Sequence, residues 1–285
     1  MPRVMKLRAV LFICALAISG CASITSFFSS DNEVAFSPDP ETNMLRADTA
    51  MKEKNYNEAA ALYEYVKTKF PYVEAATSAE LGSADADFER EKYIEARDRY
   101  QTFVRLHPTH PRNDYAAYRA ALSHYKEIPS DFFLLPPASE KDQVEVRNAM
   151  GAMSEFVRNY PSSPLRPEAQ KILDEVKLRL AEHEMYVADF YTHPNRRRWR
   201  AVVTRLSVVE KNYGGVGLDS RVAFGLYDAY LQLDEPDNAK AALQRYIEKN
   251  PAAEDVNRAR RLIAEAPAQK QIVAPPAEAS PDAGT

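Results

Sequence analysis

The sequence predicts an all-α fold, in which helices form antiparallel pairs and the pairs stack into a right-handed superhelical solenoid. Two observations predict it. The 285-residue chain contains only 8 Gly against 19 Pro, and glycine is the residue that left-handed turns need most. One pattern of apolar and aromatic residues also recurs along the chain at helical spacing. Repetition of this kind is typical of stacked repeats, which bury one continuous core between neighbours.

The recurring pattern is clearest in the copy formed by Tyr56, Ala59, Tyr63, Val66 and Pro71. The same spacing returns in three further copies, which begin at Tyr93, Val146 and Pro236. A weaker copy begins at Trp199, with Val202 in place of the alanine and Gly214 in place of the proline. The alanine lets two helices approach closely, the next two side chains lie on one helical face, and the proline ends the helix. These features match the second half of a tetratricopeptide repeat. We therefore predict five tetratricopeptide-like helix pairs within residues 40–265, which end near residues 71, 108, 161, 214 and 251.

Two of the predicted repeats are longer than the others. Residues 128–137 predict a loop inserted before the second helix of the third repeat. Residues 165–190 predict an extended first helix of the fourth repeat, which would be roughly 35–40 Å long. A short extra helix is predicted near 252–265, and the Ala- and Pro-rich residues 266–285 are predicted to be disordered.

The first 20 residues predict a secretory signal peptide, because three basic residues precede a short apolar run. The segment Ile18-Ser19-Gly20-Cys21 resembles the bacterial lipobox, in which the cysteine is acylated and becomes the first mature residue. We therefore predict lipidation of Cys21, a flexible tether over 21–39 and, because Ala22 follows the cysteine, sorting to the outer membrane. Cleavage would change the net charge from −4 to −7. The alternative is an ordinary signal peptide with a coincidental cysteine.

The sequence contains little that indicates catalysis. The segment 107–110 holds two histidines beside a proline, but no carboxylate or cysteine follows at ligand spacing. The segment 182–184 lacks the second histidine of a metalloprotease helix, since Val187 stands at that position. Gly-x-Ser-x-Gly, P-loop and cysteine-nucleophile motifs are absent from the sequence. We therefore predict a protein that is not an enzyme, holds no metal or cofactor and, being mildly acidic, does not bind nucleic acid.

Aromatic residues are predicted to form a peptide-binding groove on the first helices of the second and third repeats. The candidates are Phe88, Tyr115, Tyr118 and Tyr125. Tyrosine supplies contact area and one hydrogen bond at a modest cost in conformational entropy, which suits recognition of an extended peptide. The alternative is that several of these rings belong to the core between repeats.

An arginine cluster surrounds the single tryptophan of the chain, Trp199. Its members are Arg196, Arg197, Arg198, Arg200 and Arg205. On an acidic chain, we predict that this cluster binds carboxylates of a partner protein. The alternatives are a solvated face or contact with anionic lipid headgroups. Trp199 itself occupies the position of Tyr56 and is expected to pack against the neighbouring helix.

The residues of several loops resemble one protein family. The matching segments are Phe103-Val104-Arg105-Leu106-His107-Pro108-Thr109-His110-Pro111, Phe156-Val157-Arg158-Asn159-Tyr160-Pro161-Ser162-Ser163 and Leu180-Ala181-Glu182-His183-Glu184-Met185-Tyr186-Val187-Ala188. They resemble the BamD family, also called the ComL family, the lipoprotein subunit of the β-barrel assembly machinery. The resemblance covers about residues 40–260. One departure is the stretch 191–199, which is about two residues longer than the family pattern and rich in arginine.

The resemblance implies a lipid-anchored scaffold on the periplasmic face of the outer membrane. Its C-terminal repeats would hold the periplasmic domains of the barrel-forming subunit, BamA, alongside other Bam lipoproteins. Its N-terminal repeats would receive the targeting segments of unfolded outer-membrane proteins, for their folding and insertion. Arg205 follows the Trp-x-Ala-Val-Val pattern of the family, and the resemblance assigns it to an ion pair with BamA.

A different envelope function also fits part of the sequence. Tetratricopeptide factors that coordinate peptidoglycan synthesis or envelope constriction would accommodate the segment 160–163 and the nearby Pro167. The five predicted repeats and the lipobox favour the assembly scaffold. A third alternative, an enzyme such as a peptidoglycan lyase, has no supporting group of residues.

Overall fold

The computed structural model describes residues 34–129 and 142–267. These ranges contain eleven α-helices and no strand, so the predicted all-α class is confirmed. The helices are α1 Pro40–Lys52, α2 Tyr56–Lys69, α3 Glu74–Glu89, α4 Tyr93–Leu106, α5 Asn113–Lys126, α6 Val144–Asn159, α7 Arg166–Thr192, α8 Trp199–Asn212, α9 Asp219–Gln232, α10 Pro236–Lys249 and α11 Val256–Glu265. The predicted signal peptide, Cys21, most of the predicted tether, most of the predicted inserted loop and the tail beyond residue 267 lie outside the described residues.

As the repeated pattern predicted, α1 packs against α2, α5 against α6, α7 against α8 and α9 against α10. Short turns join the two helices of most pairs, which makes the partners antiparallel. The predicted extended helix is α7, whose 27 residues span about 40 Å. The predicted short extra helix is α11.

The chain divides into two compact units, residues 1–86 and 87–285, and each has its own packing. In the described part of the first unit, α1 packs against α2, and the patterned residues Ala59, Tyr63 and Val66 are buried. Gly82 on α3 leaves room for the ring of Tyr63, because a Cβ at residue 82 would lie only 2.7 Å from two ring carbons. The glycine is therefore required by this close approach.

In the second unit, each helix from α4 to α11 packs against the next. In every copy of the pattern in this unit, the core contains the large apolar residues and the alanine, or Val202 in its place on α8. The members from α4 are Ala96, Tyr100 and Phe103, and those from α6, α8 and α10 include Ala149, Met153, Phe156, Val202, Leu206, Val209, Ala239, Leu243 and Tyr246, all buried. Helical spacing therefore places the repeated residues on the inward face of each second helix.

All five second helices end with the same backbone geometry. The residue after each helix has a φ between −130° and −123°, and its N–H donates to the carbonyl four residues back. These residues are Phe70, His107, Tyr160, Tyr213 and Asn250. A following proline disfavours helical backbone in the residue before it, which explains four of the five ends. Tyr213 adopts the same geometry although Gly214 follows it.

A polar clasp connects the ends of the second and third repeats. The side-chain amide of Asn113 donates to the carbonyls of Val104 and His107, over 3.2 and 2.9 Å. The amide oxygen of Asn113 accepts a hydrogen bond from the Tyr160 hydroxyl over 2.7 Å. The Tyr160 ring also stacks on Phe156. This clasp fixes α5 relative to the end of α6, and thereby positions the surface residues that α5 carries.

Candidate partner-binding surfaces

The structure divides the predicted aromatic groove into buried and accessible rings. Phe88 and Tyr118 are 7% and 4% exposed. Tyr118 packs in the core against Phe156, with ring centroids 5.6 Å apart. These two rings therefore fill the interior instead of lining a groove, which corrects that part of the prediction. Tyr115 and Tyr125 are half-buried and keep part of each ring at the surface.

Arg119 on α5 joins the aromatic residues into one layered arrangement. Its guanidinium lies 3.8 Å from the ring centroid of Phe88 and 5.8 Å from that of Tyr115. It also donates to the Tyr100 hydroxyl over 3.1 Å and to Glu89 over 3.0 Å. Burial acts to lower the pKa of Arg119, but the hydroxyls of Tyr100 and Tyr115 and the carboxylate of Glu89 raise it overall. Arg119 is therefore a permanent cation among aromatic rings.

Arg119 was not predicted as a surface residue from the sequence, although a signal was available. Arg119 follows Tyr115 by one helical turn, a spacing that brings two side chains together. Arg112 also approaches Tyr115, with its guanidinium 4.5 Å from the ring centroid. The accessible part of the predicted groove therefore combines tyrosine with arginine.

Tyr125 connects α5 to the long helix α7. Its hydroxyl donates to Glu175 over 2.6 Å. Burial and this carboxylate raise the pKa of Tyr125 to about 12. Tyr125 therefore remains protonated at neutral pH, and it serves both as surface and as an interhelical contact.

A cavity of about 290 Å³ lies on another face of α5, between α4 and α6. Its lining includes Val104, Ala117, Ala121 and Tyr160, with His124 at one side. The small alanine side chains create the space, and polar side chains surround it. These lining residues do not indicate a particular ligand.

One cluster in the described ranges has ligand atoms at metal-like spacing. One atom each of His124, Glu127 and Glu145 lie within 4.8 Å of one another. Arg97 already contacts this cluster, because its Nη1 donates to Glu127 and lies 3.3 Å from the His124 Nδ1. Burial and then Arg97 lower the pKa of His124. The guanidinium thus supplies the positive charge that a metal ion would otherwise bring.

The histidines of the segment 107–110 have a packing role. The His107 and His110 rings lie 4.8 and 5.1 Å from the ring of Phe103. Both therefore cover the end of α4.

The arginine cluster separates into two groups. Arg200 and Arg205 extend from α8, and each forms an ion pair. Arg205 Nη1 lies 3.0 Å from Glu184 of α7, and Arg200 Nη2 lies 2.5 Å from Glu235. Glu184 and Glu235 are largely buried, with 14% and 19% of each side chain exposed. This group is therefore held in place by α7 and by the turn before α10.

The second group consists of Arg196, Arg197 and Arg198 in the turn between α7 and α8. All three are exposed, and none forms an ion pair with a residue in the described ranges. The Arg196 guanidinium lies 3.8 Å from the ring centroid of Phe190. Trp199, the first residue of α8, is half-buried against the core. The arrangement thus combines two paired arginines with three that are available to another molecule.

A sequence profile described as outer membrane lipoprotein, YfiO, matches residues 40–220. The chain belongs to this family. A second profile, of the tetratricopeptide repeat, matches residues 228–253. The YfiO profile and the repeat profile together cover most of the described helices. The resemblance inferred from the loop residues is confirmed, as is the predicted localisation to the outer membrane. Among the helices described for this YfiO protein, none has the length and apolarity that a membrane span requires.

Two curated relatives of this YfiO protein share one name. Outer membrane protein assembly factor BamD of Neisseria meningitidis serogroup B (strain ATCC BAA-335 / MC58) is 30% identical over 240 residues, which cover 82% of this chain and 87% of the relative. The protein of that name from Vibrio cholerae serotype O1 (strain ATCC 39315 / El Tor Inaba N16961) is 24% identical over 239 residues, which cover 82% of this chain and 98% of the relative. A solved tetratricopeptide repeat protein from Parabacteroides merdae ATCC 43184 shares 10% identity at a TM-score of 0.26, covering 79% of this chain and 98% of its own.

Proposed function

We propose that this YfiO protein is a non-enzymatic assembly factor for outer-membrane proteins. It binds the periplasmic domains of BamA and receives the targeting segments of unfolded substrates, while an acyl chain on Cys21 holds it at the membrane. The observation that carries the proposal is the similarity over 82% of the chain to relatives that are named outer membrane protein assembly factor BamD.

The arrangement of polar side chains supports a binding function over a catalytic one. The cluster most similar to a catalytic or metal centre, His124 with Glu127 and Glu145, is engaged by Arg97. The distinctive surfaces of the second unit instead combine arginine with aromatic rings. Such surfaces suit recognition of peptides and of partner carboxylates.

We assign Arg200 and Arg205 to the contact with BamA. Both guanidiniums are partly exposed, and both face carboxylates within the chain. A partner carboxylate can therefore share a guanidinium that is already oriented, which reduces the entropic cost of forming the interface. Tyr115 and Tyr125, with Arg119, are the residues that we assign to the substrate segment.

Purification from detergent-solubilised outer membrane tests the proposal directly. A tagged chain should retain BamA in the eluate. Retention of cell-wall synthases without BamA would instead support a factor that coordinates peptidoglycan synthesis.

The role of Arg205 can be separated from its ion pair. Arg205→Gln and Glu184→Gln both break the pair with Glu184, but only Arg205→Gln removes the guanidinium. We expect Arg205→Gln to lose BamA retention and Glu184→Gln to reduce it by less, because the guanidinium is kept but is no longer oriented by Glu184. Equal losses in the two variants would show that the pair acts only on the fold. Arg158→Gln, which changes an exposed arginine on α6, is the matched control.

A further inference from the structure

The turn between α7 and α8 presents its arginines in a defined conformation. The N–H groups of Arg196 and Arg197 both donate to the His193 carbonyl, over 2.8 and 3.1 Å, and the N–H of Arg198 donates to the Tyr191 carbonyl over 3.1 Å. Arg197 has a φ of 28°, in a region that side chains other than glycine rarely adopt. Three hydrogen bonds hold this strained backbone. Strain of this kind is found where a particular presentation of side chains is needed.

Two exposed aromatic residues lie beside these arginines on α7. Tyr186 and Phe190 are each 44% exposed, and their spacing of four residues puts them on one helical face. Arg196 stacks on Phe190, which joins the arginine turn to this aromatic face. The surface formed by Tyr186, Phe190, Arg196, Arg197 and Arg198 is called the arginine–aromatic edge below.

The charges around the edge favour an anionic ligand. Asp189 is the nearest carboxylate on the same turn of α7, and it is neutralised by Arg221 of α9, with 2.7 Å between the paired atoms. Glu184 is paired with Arg205. Glu182, one turn before Tyr186, is exposed and marks the limit of the edge on α7. The three arginines of the turn therefore keep their full charge toward solvent.

We propose that the arginine–aromatic edge docks on the anionic phospholipid surface of the membrane to which the protein is anchored. Guanidinium groups bind phosphate with two parallel hydrogen bonds, and aromatic rings are enriched at the level of the lipid headgroups. An outer membrane lipoprotein is held beside such a surface permanently, so the ligand is always at hand. The edge thereby sets which face of the second unit turns toward the bilayer, a role separate from the contact of Arg200 and Arg205 with BamA.

The single tryptophan of the chain offers a reporter at this place, because Trp199 directly follows the three arginines. The full acylated protein is reconstituted in phosphatidylcholine vesicles that contain one third phosphatidylglycerol, with bromine on the acyl chains of the phosphatidylglycerol. Bromine quenches tryptophan emission only at short range. Each emission is divided by that of the same variant in bromine-free vesicles, which removes direct effects of a substitution on the fluorophore.

We expect quenching of Trp199 in the native protein at low salt and its loss near 1 M salt, where the screening length falls to about 3 Å. The variant Arg196→Gln/Arg197→Gln/Arg198→Gln should lose the quenching. The control Arg158→Gln/Arg260→Gln/Arg261→Gln changes the net charge equally at other exposed arginines and should retain it. Far-UV circular dichroism verifies that both variants are folded.

A partition measurement gives the size of the effect. The mature chain with Cys21→Ser carries no acyl group, and its binding to the same vesicles reports the surface alone. Each arginine near an anionic membrane strengthens binding about five-fold, so the triple substitution should weaken it about a hundred-fold.

Three outcomes would overturn the proposal. The first is equal quenching in the triple variant and in the native protein. The second is equal quenching of the native protein by brominated phosphatidylcholine in vesicles without anionic lipid. The third is binding of the Cys21→Ser chain to poly-glutamate but not to vesicles. The last outcome would assign the edge to an acidic protein segment. Because Arg205 remains in the triple variant, BamA retention is a separate readout, and failure of the lipid contact leaves the proposed function intact.

Discussion

Arg245 of α10 donates to both carboxylate oxygens of Glu210 of α8, over 2.9 and 3.1 Å. This pair joins the second helices of the fourth and fifth repeats. The hydrogen bonds with Glu210 are the main reason that the pKa of Arg245 is raised. A planar guanidinium fits a carboxylate in this way, whereas the ammonium group of lysine cannot form both contacts with the same geometry.

Replacement of this arginine by lysine should therefore weaken the fold although the charge is kept. For Arg245→Lys we expect a loss of about 0.5–1 kcal/mol in the free energy of unfolding, since the pair is partly exposed. Glu210→Gln should cost a similar amount, and the double variant little more than either. Urea denaturation followed by Trp199 fluorescence measures all three. Additive losses would contradict direct coupling of the two residues.

Two glycines in helices predict opposite effects of the same substitution. Gly82→Ala would bring a Cβ to 2.7 Å from the Tyr63 ring, and we expect a loss of about 1–3 kcal/mol from overpacking. At Gly151 in α6 an added Cβ meets no atom within 4 Å, so Gly151→Ala should stabilise the protein by about 0.5–1 kcal/mol. Urea titrations followed by far-UV circular dichroism compare the two. The interpretation is wrong if both variants shift in the same direction.

The stability of the protein should depend on pH through the carboxyl group of Asp255. Burial acts to raise its pKa, but hydrogen bonds from Ser220 and Tyr246 outweigh burial and lower the pKa below 3.8. A carboxyl whose pKa is lowered by folding stabilises the protein above its unfolded pKa, and that stabilisation is lost as the pH falls through the folded pKa. Asp255→Asn should therefore cost about 1 kcal/mol at pH 7 and progressively less below pH 4.

Thermal unfolding of the native protein and the Asp255→Asn variant over a pH series measures this difference in stability. Tyr246→Phe removes one of the two hydrogen bonds to the carboxylate. The effect of Asp255→Asn should therefore be smaller when it is introduced together with Tyr246→Phe. A difference that stays constant from pH 7 to pH 3 would show that the Asp255 carboxylate contributes nothing through its charge.

The guanidinium of Arg97 should have a measurable effect on the pKa of His124. Burial is the largest cause of its lowered pKa, and Arg97 is the next. Arg97→Gln should therefore raise the pKa of His124, because a positive charge 3.3 Å from Nδ1 is removed. NMR titration of the imidazole protons measures this shift, with Arg105→Gln on the exposed part of α4 as control. An unchanged pKa would mean that Arg97 does not approach the ring in solution.

The repeat architecture could be predicted because one local pattern carries it. Each copy of the pattern consists of a small residue, two large side chains and a residue that ends the helix. All of them lie within or directly after one helix, as Ala96, Tyr100, Phe103 and Pro108 do. Each position has a physical reason that depends only on sequence neighbours. The order of the helices and the packed pairs followed from that pattern.

The candidate surfaces could be predicted only in part, because the exposure and pairing of their side chains depend on contacts between residues that are distant in sequence. Tyr115 and Tyr118 are three residues apart on α5, and which of them is accessible depends on where α6 lies. Arg205 has its partner at Glu184, 21 residues away. Which arginines of the cluster are paired and which are exposed therefore became clear only from the packing of α8 against α7. The contact of Arg97 with His124 and Glu127 depends in the same way on the packing of α5 against α4.

The length of α7 has a mechanical consequence. Near its beginning, Glu175 accepts the hydrogen bond of Tyr125, and toward its end it carries Glu184 and Phe190. A continuous helix moves as a stiff rod, and Glu184 lies about 13 Å from Glu175 along its axis, so a tilt of about 5° about Glu175 displaces Glu184 by about 1 Å. Such a displacement would lengthen the 3.0 Å contact between Glu184 and Arg205 beyond the ordinary range of a hydrogen bond. A ligand that moves the Tyr125 hydroxyl would therefore weaken the hydrogen bond between Glu184 and Arg205, more than two helical turns away.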